Sequence, residues 1–256
     1  MKAVTAPRQD ARILSRVLRI GLLLAIAGQV LWSFRPTVSQ AQEDQLATGQ
    51  QLYETSCSTC HGLGAEGTEN GPSLQGVGPA AVDFMVGTGR MPLADPGQQP
   101  VRKEPRFTEP QIAAIVAYVA SIAPGGPDIP DVDTARGDLA QGFELFLNNC
   151  SGCHGAAGVG DSVGGGQIAP SLYPPNATQI GEAIRIGPGV MPRFGEGDLS
   201  QADVDSIARY LEWVRDNGKD GGFQLGRVGA VAEGLIALAI GMGLVVLVIR
   251  LTGSKT

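Results

Sequence analysis

The pentapeptide C-x-x-C-H occurs twice, as Cys57-Ser58-Thr59-Cys60-His61 and Cys150-Ser151-Gly152-Cys153-His154. Between them the two motifs use all 4 cysteines and both histidines of the 256-residue chain. Any fold of this chain must present two thiols three positions apart, with an imidazole directly behind the second. Residues three apart share one face of a helical turn. The motif therefore asks for a helix end, twice.

This spacing reads as covalent attachment of a c-type haem. Cys57 and Cys60, or Cys150 and Cys153, would each bond one vinyl group. His61 or His154 would then reach the iron from below the ring. Three other readings compete. A four-thiolate zinc site can be built from two C-x-x-C pairs, but it does not require a His after each. A disulfide within each pair suits an exported protein but explains neither His. A thioredoxin-like redox pair belongs in a βαβ context, and no convincing strand pattern appears in the polar middle of this chain.

The motifs lie in a longer internal repeat. "GQQLYETSCSTCHG" starts at Gly49 and "GFELFLNNCSGCHG" at Gly142, so that Leu52 matches Leu145 and Tyr53 matches Phe146. Further on, "GPSL" at Gly71 echoes "APSL" at Ala169, and Met91-Pro92 echoes Met191-Pro192. Each half closes with an amphipathic helix. In the first, Thr108 caps, Gln111 completes a capping box, Phe107 staples onto Ile112, and Ile112, Ile115, Val116 and Val119 share a face. In the second, Ser200 caps, Leu199 staples onto Val204, Val204, Ile207, Leu211 and Val214 form the stripe, and Gly218 is the stop. A Pro-, Gly- and Asp-rich stretch from Ala123 to Asp138 joins the halves.

With both histidines used, a second axial ligand has few sources. Met91 and Met191 hold the same repeat position, each after a Gly-rich turn and before Pro. Met85 lies in the helical-looking "PAAVDFMVG", has no counterpart, and reads as core packing. His/Met ligation raises a haem potential and suits electron transfer. It also fills both axial sites, which argues against a dihaem peroxidase. Pro72 and Pro170 have two readings: their carbonyls accept the other imidazole N–H, or they are ordinary loop stops.

The ends of the chain are apolar. Lys2, Arg8, Arg12, Arg16 and Arg19 precede an uncharged run of 15 residues from Ile20 to Phe34, followed by a small-residue stretch at Ser39-Gln40-Ala41. This describes an export signal, or a short retained anchor. Val228 to Ile249 is a run of 22 residues with one charge, Glu233, and is long enough to span a bilayer. Arg227 flanks one end, and Arg250 and Lys255 the other, which places the C-terminus inside and the middle outside. Ala230, Gly234, Ala237 and Gly241 permit close helix packing; Glu233 lies near the headgroups or faces a partner subunit. Residues 42–226 carry 10 basic and 23 acidic side chains, a net charge of −13 that argues against nucleic acid. Arg90, Arg102, Lys103 and Arg106 form a basic island there, either a solvated loop or a contact for a partner or a haem propionate.

Residues 49–122 and 142–217 each resemble a class I cytochrome c domain. The whole plan is similar to the dihaem cytochrome c subunits of actinobacterial quinol–cytochrome c reductase, the bc-type respiratory complex III. The stretches "GPSLQGVGPAAVDFMVGTGRMP" and "RKEPRFTEPQI", and the apolar helix after "GGFQLG", carry that likeness. It implies an all-α fold: a signal or anchor in 1–41, cytochrome c domains at 45–123 and 139–219, a linker at 124–138 and a transmembrane helix at 228–250. It implies two covalent haem c groups, on Cys57/Cys60 and Cys150/Cys153, with His61, Met91, His154 and Met191 on iron and Pro72 and Pro170 behind the histidines. It also implies a respiratory electron carrier in the cell membrane, part of a proton-translocating oxidoreductase. Cytochrome b, a Rieske-type iron–sulfur subunit and a terminal cytochrome c oxidase are the implied partners, and menaquinol or ubiquinol the reductant. The alternative is the dihaem subunit of a haem–copper oxidase, or a free-standing anchored carrier.

Overall fold

A computed structural model describes residue 18 and residues 20–26, 38–95, 97–217 and 230–253. Lys2, Arg8, Arg12, Arg16, Arg19, Gly218, the GGFQLG stretch, Arg227, Lys255 and the side chain of Glu233 lie outside the described residues. In the N-terminal unit, Met1–Ala47, residues 20–26 are helical and exposed, and a helix resumes at Val38 so that Ser39-Gln40-Ala41 is helical too.

The second unit, Thr48–Thr256, is mostly helical. In chain order the helices are α1 (Val38–Ser56), α2 (Ser58–His61), α3 (Pro79–Gly87), α4 (Glu109–Ile122), α5 (Leu139–Asn149), α6 (Ser151–His154), α7 (Ala177–Ile186), α8 (Gln201–Asn217) and α9 (Ala230–Thr252). Two apolar clusters form. Tyr53 of α1, Val82 and Val86 of α3, and Ile112, Ile115, Val116 and Val119 of α4 make the first. Phe146 of α5, Ile180 and Ile184 of α7, and Val204, Ile207, Leu211 and Val214 of α8 make the second. Both closing stripes read from the sequence are therefore buried.

Caps fix where the helices begin. Thr108 and Gln111 make the capping box of α4. Ser200 and Asp203 exchange hydrogen bonds at the head of α8, with Asp203 Oδ2 accepting from the Ser200 N–H at 2.8 Å. Asp138 caps α5 and Asn176 caps α7, the latter in a second capping box with Gln179.

In each half one crossing positions the attachment helix. Gly49 of α1 lies against α4, where an added Cβ would stand 2.1 Å from the Ala114 carbonyl oxygen. Gly142 of α5 lies against α8, where a Cβ would stand 2.0 Å from the Ser206 carbonyl oxygen. Both glycines are eight residues before the first Cys of their motif. Only a residue without Cβ lets the backbones approach this closely.

Two features depart from the sequence reading. Asp161–Gly164 (β1) and Gln167–Ala169 (β2) pair antiparallel, although no strand pattern was expected. Strands of 4 and 3 residues are too short to show alternation, and Gly164, Gly165 and Gly166, all at positive φ, turn the chain between them. The joining stretch is also not a free tether. Pro127 accepts from the Ala80 N–H of α3 at 3.2 Å. Further along, Asp205 of α8, only 3% exposed, accepts from Asp133 N–H and from Arg136 Nε, each at 3.1 Å.

Helix α9 is exposed over its described side chains, and Gly234–Thr252 has a mean hydropathy of 2.5. Among the described residues it alone is long and apolar enough to cross a membrane.

Candidate haem sites

The two motifs adopt one geometry. Cys57 caps α2 with φ −124° and ψ −36°; Cys150 caps α6 with φ −121° and ψ −34°. Each cap carbonyl accepts the N–H of its own histidine, at 2.9 Å for His61 and 3.0 Å for His154. Gly62 and Gly155 then leave at positive φ, 80° and 73°. The returning chain is tied back by Gly67 N–H to His61 O at 2.7 Å and by Gly160 N–H to His154 O at 2.9 Å. The four thiols are unpaired with one another.

These turns aim the chain so that a proline carbonyl meets each ring. His61 Nδ1 lies 2.8 Å from Pro72 O, and His154 Nδ1 lies 2.9 Å from Pro170 O. A carbonyl only accepts, so Nδ1 carries the proton in both. In the neutral ring Nε2 then keeps its lone pair, the atom a metal takes. His154 is 8% exposed, and burial pushes its pKa down against the opposing pull of the Pro170 bond. The ring is thereby kept neutral, as ligation requires. Burial also pushes the Cys57 and Cys150 thiols up to about 11, in each case reinforced by the second Cys of the pair. A thiolate site for zinc or for redox exchange needs the opposite shift. Residues of these types and this tautomer fit a haem held by two thioethers and a neutral imidazole.

The methionines stand at matching places. Met91 packs against the first apolar cluster together with Cys57, and Met191 against the second together with Cys150. Met91 is fastened by its N–H to the Met85 carbonyl at 2.9 Å, and Met85 is half-buried. Gly187, in the left-handed region at φ 60°, lets the Met191 loop fold back, and an added Cβ would meet Arg193 N at 2.7 Å.

The basic island divides. Arg90 is buried, donates to Thr88 Oγ1 at 2.6 Å and lies over the Phe84 ring. Arg102 donates through both Nη atoms to Gln179 Oε1 at 3.0 Å. Arg106 lies over the Phe107 ring, and Lys103 is exposed. Three of the four cations therefore have structural partners.

The Cytochrome c family model matches residues 46–123. The model for cbb3-type cytochrome c oxidase subunit III matches residues 137–211. Over the whole chain the likeness is narrower. The cytochrome bc1 complex cytochrome c subunit of Mycobacterium leprae is 42% identical over 240 residues, 87% of this chain and 83% of that protein. The subunit of the same description from Corynebacterium efficiens is 34% identical over 278 aligned positions, covering 100% of this chain and 94% of that one.

The chain belongs to the cytochrome c subunits of the cytochrome bc1 complex.

The subunit therefore carries two cytochrome c domains, each with a Cys pair for covalent haem c, and works in electron transfer within a quinol–cytochrome c reductase. A cbb3-type cytochrome c oxidase subunit CcoP from Cereibacter sphaeroides is 29% identical over 64% of this chain, so the oxidase alternative keeps a more distant likeness. The exposed apolar helix α9 suggests a membrane anchor.

Sequence reasoning missed several residues that build this region. Gly49 and Gly142 were legible as repeat positions, but their crossing role needs the partner helices. Gln99 and Glu182 were not legible at all and Arg102 only as one charge of the basic island, because the partners of Gln99 and Arg102 are about 70 or more residues away and Glu182 meets Asp83 on a facing helix.

Proposed function

We propose that this subunit holds two haems, one on Cys57, Cys60, His61 and Met91 and the other on Cys150, Cys153, His154 and Met191. The carbonyls of Pro72 and Pro170 orient the two imidazoles. A haem bound there would supply one-electron chemistry; the cysteines would attach it, the proline carbonyls would orient the histidines, and His61, Met91, His154 and Met191 would hold the iron. The observation that carries this reading is the twofold repetition of one geometry: cap, histidine, proline carbonyl and a methionine loop on the same apolar cluster.

In this reading the domains at 45–123 and 139–219 lie outside the cytoplasm, a segment in 1–41 exports them, and 228–250 spans the membrane with the C-terminus inside. Cytochrome b and a Rieske-type iron–sulfur subunit oxidise menaquinol or ubiquinol and pass one electron at a time to this chain. The chain relays it toward a terminal cytochrome c oxidase. The acidic surface of residues 42–226 suits a partner with a positive face.

Purification in mild detergent tests the assembly. Cytochrome b and the iron–sulfur subunit co-purify with this chain; recovery with a copper-containing oxidase core and without cytochrome b would instead establish the oxidase alternative. The ligand set is tested separately. Met91→Ala removes the methionine–iron charge-transfer band of one haem, and retention of both bands would move the ligand elsewhere, with Met85 the first suspect.

A further inference from the structure

The segment that follows Met91 does more than present a thioether. Its far end is fastened to its base, where Lys103 N–H donates to Thr88 O at 3.1 Å. Gly89, at φ +66°, lies so close to the returning arm that a Cβ would stand 2.4 Å from Lys103 O. The loop is thus a closed ring, pinned beside the methionine.

From that ring two side chains reach the second haem domain. The Gln99 amide pairs with the main chain of Ile168 in β2 through both its atoms: Nε2 donates to Ile168 O at 2.9 Å, and Oε1 accepts from Ile168 N–H at 3.2 Å. It occupies the place a neighbouring strand would take on a sheet edge. Arg102 donates twice to Gln179 Oε1, and Gln179 is itself part of the capping box that starts α7. Both contacts are directional, and between them they fix two separate points of the second domain. α3 and α7 pack together across the same boundary.

We infer that Gln99 and Arg102 are positioning residues for electron transfer between the two haem domains: they clasp β2 and α7 to the ring that carries Met91, and hold one mutual orientation of the two iron sites. This rests on the ligand assignment proposed above. Transfer between fixed centres falls steeply with the gap between them, so an orientation held by paired hydrogen bonds sets the rate directly. A loosened pair would transfer only when thermal motion restores the short gap, and the rate would become sensitive to solvent friction.

The test uses the detergent-solubilised full chain with its haems, comparing the wild type with the Gln99→Ala/Arg102→Ala double variant. Hydrogen–deuterium exchange reads the clasp without reference to the haems. The expected result is faster exchange over residues 161–169 and the first turn of α7. Photoinjection of one electron reads the passage between haems. The expected result is a several-fold slower rate that depends on added viscogen, where the wild-type rate does not, with both methionine–iron bands retained. Unchanged exchange, or an unchanged rate with no viscosity dependence, overturns the inference. Loss of one band together with the slower rate also overturns it, because the residues would then act through Met91 ligation. A wild-type protein without two such bands would sink the ligand assignment instead, and the exchange arm would still decide whether the clasp exists.

Discussion

Glu182 provides the sharpest numerical test of the fold. It lies on α7, is 0% exposed, and in its protonated form donates to Asp83 of α3. Burial pushes its pKa from the ordinary 4.5 up to about 9, and the nearby Asp83 of α3 adds to the shift. Between those values the folded protein holds a proton that the unfolded chain has released. Its contribution is therefore fully present below pH 4.5, declines as pH rises, and is lost through about pH 9. Each unit is about 1.4 kcal/mol, so the loss is about 3 kcal/mol by pH 7 and about 6 kcal/mol by pH 9. Glu182→Gln has no such proton. Urea unfolding of the haem-loaded chain from pH 5 to pH 9, wild type against variant, isolates the effect. The variant gains on the wild type by about 1.4 kcal/mol per pH unit across that range. The comparison uses the slope, because the buried amide shifts the whole curve by an amount that does not vary with pH. Two parallel curves would refute the reasoning: Glu182 would then be solvated, or ionised and paired, in the folded protein.

Three further outcomes follow from the site. Gly142→Ala places a Cβ 2.0 Å from a backbone oxygen, so two backbones must separate; a loss above about 3 kcal/mol, beyond ordinary overpacking, is expected in thermal unfolding, and an unchanged midpoint would remove the crossing. Tyr53→Phe removes the donor to Gly62 O at 2.7 Å and costs about 1 kcal/mol in the same assay, with the haem spectrum unchanged; a spectral shift would give the hydroxyl a role at the iron. Met191→Ala removes one of the two methionine–iron bands, so about half the band amplitude is lost; full retention would exclude Met191 as the ligand.

What the sequence disclosed was local. The stripes Ile112–Val119 and Val204–Val214 and the Thr108–Gln111 box act within one half of the chain, where spacing carries the information, whereas Pro72 and Pro170 stayed open between carbonyl acceptors and plain loop stops. The β1–β2 hairpin escaped because strands this short leave no periodicity. The stretch from Ala123 to Asp138 looked like a tether because its Pro, Gly and Asp are turn formers. Yet Asp133 and Arg136 are there to meet Asp205, and that purpose appears only once α8 is beside them. Arg102 looked like surface charge for the same reason: Gln179 supplies its partner from α7.

The acceptors behind His61 and His154 are peptide carbonyls rather than side chains. A side-chain acceptor can be lost by one codon change. A main-chain carbonyl is present whatever residue stands at 72 or 170, so mutation can shift its position but cannot delete it. Protonation cannot silence it either, since an amide oxygen does not titrate in the range where a carboxylate partner would. The orientation of the two rings is thus written into the path of the chain, and it persists through genetic drift for as long as Gly67 and Gly160 bring the backbone home.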